Sequence, residues 1–136
     1  MHEIPITIFF TSFFTLIYIL LSVRVGYMRG SPVLKLLFKM NKKITNFKLE
    51  RNIRAHGNFS EYVPLFLILL FISEISNNFS FSNLLIISLI FLYGRLAHAI
   101  CFSFYEYNPF LRISGMITTY LALFIFAIQL LYILFN

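Results

Sequence analysis

The chain has 136 residues, is 60% hydrophobic and 12% charged, and carries a formal net charge of +6. A soluble domain carries roughly 25% charged residues, so too few ionic groups are present to cover a water-facing surface. A soluble enzyme and a secreted domain are thereby excluded, leaving a single membrane domain over residues 1–136.

A helical span takes about 20 mostly apolar residues, and four such stretches follow one another. Span one is expected over 4–24, an uncharged run from Ile4 to Val23 closed by Arg24. Its Met-His-Glu start lacks the basic residues and cleavage site of a secretory signal, so this run is expected to remain as a span. A polar connection from Val25 to Asn52 follows, with the turn signal Gly30-Ser31-Pro32. Span two is expected over 54–75, polar in its first half and apolar from Val63 to Ile72. Ser76 to Ser80 forms a short link to span three, 81–104, which is interrupted by Arg95 and His98. Tyr105 to Pro109 leads into span four, 112–135. Short links make neighbouring helices antiparallel, so the expected fold is an all-α, four-helix, up-down membrane bundle.

Basic residues set the orientation. Arg24, Arg29, Lys35, Lys39, Lys42, Lys43, Lys48, Arg51 and Arg54 crowd the first connection, and Arg112 lies by the third on the same side. Both connections are therefore expected in the cytoplasm, with the two termini outside. These cations flank spans and lack interleaved aromatic rings for stacking bases, so no nucleic acid is expected as partner. Attraction to anionic membrane lipid accounts for them. Cys101 is the only cysteine, so no intrachain disulfide forms, and a thiol in apolar surroundings is expected to be inert. His2, His56 and His98 lack metal-ligand spacing, and no metal site is expected.

The start of span two carries the chemistry. At about 100° per residue, Arg51, Arg54, Asn58, Glu61 and Tyr62 fall within an arc of about 100° on one helix face, with His56 opposite. Each charge at mid-bilayer costs about 2.5–3.5 kcal/mol on the lenient insertion scale. The stripe must therefore face the bundle interior, a subunit interface or a water-filled cleft. Two readings compete. In one, Arg54 and Glu61 neutralise each other and Asn58 ties helices together. In the other, the seven-residue step from Arg54 to Glu61 places the two charges about 10 Å apart along the axis, a gap suited to a ligand bearing both carboxylate and ammonium. The spacing favours the ligand. On span three, Arg95 and His98 share a face at i, i+3. An intramembrane arginine usually marks a partner or a pathway, whereas a buried histidine is more often a hydrogen-bonding core residue. Arg112 and Arg24, at span ends, read on their own as interfacial anchors.

The run Arg54-Ala55-His56-Gly57-Asn58-Phe59-Ser60-Glu61-Tyr62-Val63-Pro64-Leu65 resembles the second-helix signature of the MAPEG proteins, the membrane-associated proteins in eicosanoid and glutathione metabolism. Gly94-Arg95-Leu96 with His98, and Arg112-Ile113-Ser114-Gly115-Met116, resemble third- and fourth-helix segments of bacterial members. The resemblance implies a homotrimer in a bacterial inner membrane, with glutathione as cosubstrate between subunits. By motif, Arg51, Arg54, Asn58, Glu61 and Tyr62 fall on glutathione-holding positions, joined by Arg95 and His98. An arginine that stabilises the glutathione thiolate is also implied, for which Arg112 is the first candidate and Arg24 the second. The chain departs from the leukotriene-forming member at His98 and Phe102, where that protein has a tyrosine pair, and at His56, where it has glutamine. The implied activity is a glutathione-dependent transferase or peroxidase acting on lipophilic substrates. The alternative is a non-catalytic membrane protein that binds lipid or another small molecule.

Overall fold

A computed structural model describes residues 3–38 and 44–135, except the side chains of Lys35 and Phe38. Lys39, Lys42 and Lys43 of the basic connection, His2, and the Met-His start lie outside the described residues. Among the described residues five helices follow one another: α1 (Pro5–Met28), α2 (Pro32–Phe38), α3 (Asn46–Ile75), α4 (Phe81–Phe104) and α5 (Pro109–Phe135). Among the described residues there is no strand, and α1, α3, α4 and α5 are each long and apolar enough to cross a membrane.

Much of the segment expected as a polar connection is helical. α1 continues to Met28, α2 occupies seven residues, and α3 begins at Asn46. Hydropathy reports where a chain is apolar, while a helix continues for as long as its backbone bonds are made and its ends capped. At Gly30 the φ of 77° suits a residue without Cβ, and the amides of Gly30 and Ser31 return to the carbonyls of Tyr27 and Gly26. Thr45 caps α3 by accepting from the amide of Lys48. The 30 residues of α3 extend about 45 Å, against a hydrocarbon layer of about 30 Å. The helix is therefore longer than that layer is thick.

Other ends are closed by neighbours in space. Pro5 opens α1, where its missing N–H costs nothing. The next two amides, Ile6 and Thr7, donate to the two carboxylate oxygens of Glu74 at 2.9 and 2.8 Å, which ties the start of α1 to the end of α3. Ser80 caps α4, and the side chain of Asn108 accepts from the amide of Leu111 at the start of α5.

Core phenylalanines come from every long helix. Phe14 of α1 meets Phe59 and Phe66 of α3 and Phe91 of α4 edge-on, Phe66 stacks on Phe91 with centroids 3.8 Å apart, and Phe126 of α5 closes the cluster. Such edge and offset ring contacts add to the area they bury. Leu16, Leu20, Ile68, Ile86 and Phe124 point outward, an apolar belt that a lipid environment covers and water does not. The tightest approach joins α4 to α5. A Cβ on Gly94 would lie 2.9 Å from the carbonyl oxygen of Gly115, and a Cβ on Gly115 the same distance from that of Gly94. Small residues at such crossings let membrane helices pack backbone to backbone.

Candidate functional site

The polar stripe of α3 divides according to which way each residue faces. Asn52, Ala55, Phe59, Val63, Phe66 and Leu70 form the buried face of the helix. Arg54 and Glu61 lie on the opposite, exposed side, with Asn58 and Tyr62 half-buried at its edge. No nitrogen of Arg54 comes within 4.0 Å of a Glu61 oxygen. Their mutual neutralisation, the first of the two competing readings, is therefore absent. The amide of Asn58 donates to the carbonyl of Arg54 at 2.9 Å, and the Tyr62 hydroxyl lies 3.0 Å from that of Tyr120 on α5. His56 turns the other way and packs on the ring of Tyr18, centroids 4.8 Å apart.

Behind the stripe stands Arg95, only 2% exposed. Its position follows from the glycine crossing. With Gly94 and Gly115 in contact, Thr119 comes within reach, and its hydroxyl accepts from Arg95 Nε at 3.0 Å and Nη2 at 2.7 Å. The same hydroxyl donates to the Gly115 carbonyl at 2.6 Å, so its one proton and two lone pairs are all used. Arg95 Nη1 donates to the carbonyl of Asn58, and the guanidinium lies 4.8 Å from the centre of the Tyr62 ring. A cation over a ring face is attracted by the ring quadrupole. Arg95 thus supports the stripe from below through one hydrogen bond and one ring.

Toward the basic end a second group assembles around Phe102. The His98 ring packs on it at 4.8 Å, the Arg51 guanidinium lies 4.9 Å from its centre, and that of Arg112 lies 5.9 Å away. Arg51 also donates to the carbonyl of Cys101 at 2.9 Å. A cavity of about 420 Å³ opens beside this group, lined by Arg51, Cys101, Phe102, Asn108, Arg112 and Met116 among others. The buried Cys101 thiol donates to the Asn108 carbonyl. The exposed Glu106 carboxylate is on the same wall, so two guanidinium groups face one carboxylate and the wall stays net cationic, which favours an anion and leaves an apolar face for the rest of a ligand.

Arg24 stands apart from Arg112. Its Nε donates to the side-chain oxygen of Asn52 at 2.6 Å, its Nη2 to the carbonyl of Ser103 at 2.8 Å, and its charge rests over Phe104. Arg51, His98 and Arg112 are therefore brought together, Tyr62 is joined to Arg95, and Arg54, Asn58 and Glu61 share an outward face. Asn52, Ser103, Thr119 and Tyr120 are the polar residues that sequence reasoning passed over. Only Thr119 left a trace, as the hydroxyl four residues after Gly115 on a helix that faces an intramembrane arginine.

Compared with known protein families, the chain matches the MAPEG family over residues 7–132. No curated protein matches the chain.

Proposed function

Because the chain belongs to the MAPEG family, we propose that this integral membrane protein binds glutathione and uses it as a transferase or peroxidase on lipophilic substrates. The observation that carries this reading is the pair Arg54 and Glu61. Both are exposed, they are not joined to each other, and a helix rise puts them about 10 Å apart. Such charges on a membrane helix need a counterpart other than lipid. A second and third copy of the chain, arranged as a homotrimer, enclose the stripe, and glutathione supplies the counterions. Arg54 offers a fork to a carboxylate, Glu61 accepts an ammonium, and Asn58 and Tyr62 line the path between them. Arg95 holds Tyr62 in place, while Arg51 and His98 shape the wall that leads to the cavity at Phe102.

Arg112 is the thiolate partner in this proposal. A free thiol has a pKa near 8.5 and is mostly protonated at neutral pH. A guanidinium within hydrogen-bond reach favours the anion, and arginine stays protonated, so Arg112 stabilises charge and does not act as a base. The thiol proton leaves to water, and the sulfur attacks an electrophile arriving laterally from the bilayer. Arg24 is set aside from this role because two of its donors are engaged by Asn52 and Ser103. By the basic-residue rule, the basic end faces the cytoplasm of a bacterial inner membrane.

Thermal unfolding of the detergent-purified protein tests the proposal. Glutathione at about 100 times its dissociation constant adds roughly 2.7 kcal/mol. The Arg54→Ala variant keeps its oligomeric state and loses this response. No shift at millimolar glutathione, or an Arg54→Ala variant that falls to monomers, refutes the reading. A non-catalytic binding protein is the second reading, favoured by the packing of His98 on Phe102, at the two positions where the leukotriene-forming member has tyrosines. The two separate on ultraviolet absorbance of the thiolate, present only in the enzyme.

A further inference from the structure

We propose that α2 lies flat in the membrane surface at the basic end of the bundle, with Val33, Leu36 and Leu37 sunk between the lipid headgroups and the upper acyl chains. Its seven residues rise about 10 Å, so α2 is far too short to be a span. Its aliphatic side chains are nevertheless turned out: Val33 is 65% exposed, Leu36 82% and Leu37 68%. By helical register these three positions fall within an arc of about 100°, and position 35 lies on the opposite side. A helix of this length is marginal in water, and an exposed aliphatic face makes water a still poorer surrounding.

The place where α2 docks says which surface covers that face. Leu34 reaches Gly26, where an added Cβ would lie 3.2 Å from Leu34 Cδ1. Gly26 belongs to the last turn of α1, so α2 is held against the end of the span. It is also held on the outward side. Ile19 and Val23, seven and three residues before Gly26, share its face of α1 and are exposed. The bundle side of α1 carries Phe10, Phe14, Leu21 and Val25. The aliphatic face of α2 therefore adjoins the apolar belt that lipid covers. Charge points the same way. Arg29 is exposed just before α2, and Lys35, Lys39, Lys42 and Lys43 fall within it or follow it in the sequence. No Asp or Glu occurs between Glu3 and Glu50. Uncompensated cations beside a span are drawn to anionic headgroups, and an aliphatic face with basic residues around it is the pattern of an interfacial helix. The partner is thus the lipid leaflet at the basic end, and the inference does not depend on glutathione.

The chain contains no tryptophan, so Leu36→Trp places a lone indole on the exposed face, clear of the bundle core. The full-length variant is reconstituted in vesicles of phosphatidylcholine and phosphatidylglycerol, with and without bromine on the acyl chains. The brominated lipid is expected to quench the indole, and acrylamide in the water is expected to reach it poorly. Indole has its own preference for the interface, so Val33→Asn and Leu37→Asn are then added to Leu36→Trp. Most of the lipid quenching is expected to be lost in this triple variant, and acrylamide quenching to rise. All three positions are exposed, so the bundle itself is left unaltered. An indole in the single variant that acrylamide quenches as fully as free tryptophan overturns the proposal. Shelter from both quenchers also overturns it, and assigns the face to a second copy of the chain. Equal lipid quenching in the single and triple variants overturns it as well, because the indole alone then accounts for the insertion.

Discussion

Arg95 and Thr119 form a closed unit inside the bundle: two guanidinium nitrogens converge on one hydroxyl, at 3.0 and 2.7 Å, and that hydroxyl passes its own proton to Gly115. The arrangement joins α4 to α5 and holds a charge away from lipid. Thr119→Val keeps the shape and removes the acceptor, leaving Arg95 with the Asn58 carbonyl as its hydrogen-bond partner. A hydrogen bond to a charged group is worth about 1.5–3 kcal/mol, and a loss of that size is expected in denaturation of the detergent-solubilised protein. Arg95→Met combined with Thr119→Val is expected to recover most of it, because an apolar replacement of the whole unit leaves no unpaired charge.

Two glycines respond in opposite senses to the same substitution. In Gly94→Ala the new methyl lies 2.6 Å from the Thr119 hydroxyl and 2.9 Å from the Gly115 backbone oxygen. The backbone cannot turn aside as a side chain does, so α4 and α5 separate, at about 1–3 kcal/mol. In Gly57→Ala the methyl has nothing within 4 Å, and the helix gains about 0.4–1 kcal/mol from a less flexible unfolded chain. Melting temperatures of the two variants, measured side by side, check both signs.

Glu74→Gln removes one of the two acceptor oxygens that take the amides of Ile6 and Thr7. The glutamine NH₂ then faces an N–H. A loss of about 1 kcal/mol is expected from the hydrogen bond and the charge at a helix start. Faster hydrogen exchange confined to the first turn of α1 identifies the cause.

Arg112→Ala is expected to retain the thermal shift with glutathione and to lose the ultraviolet signal of the thiolate. Removing one preorganised donor from a developing anion costs about 100-fold in rate, so kcat/KM for a lipophilic electrophile falls by about that factor. Unchanged thiolate absorbance in this variant removes Arg112 from the mechanism.

Residue pattern made some of this legible and geometry made the rest. The four long apolar stretches were plain, because uncharged runs near 20 residues have few other uses. Helix ends were not. α3 begins at Asn46, inside a basic stretch where polarity hides helical periodicity, and α2 is too short to show any. The α3 stripe was found as a set, since a 3.6-residue period is local. Its division was not visible, because Arg51 turns to Cys101, 50 residues away, and Arg95 reaches Asn58 and Thr119 across two helix interfaces. Arg24 looked like an interfacial anchor from its place at the end of an apolar run. Its bond to Asn52 depends on how α1 and α3 pass one another, which no spacing in the chain reveals.

The carboxylate of Glu74 has a bearing on how the chain is made. Translation delivers α1 first, and its opening amides remain without their acceptor until 68 further residues have been added. Until then water at the helix end can serve those amides, and the Glu74 carboxylate replaces it only when the end of α3 comes alongside the start of α1.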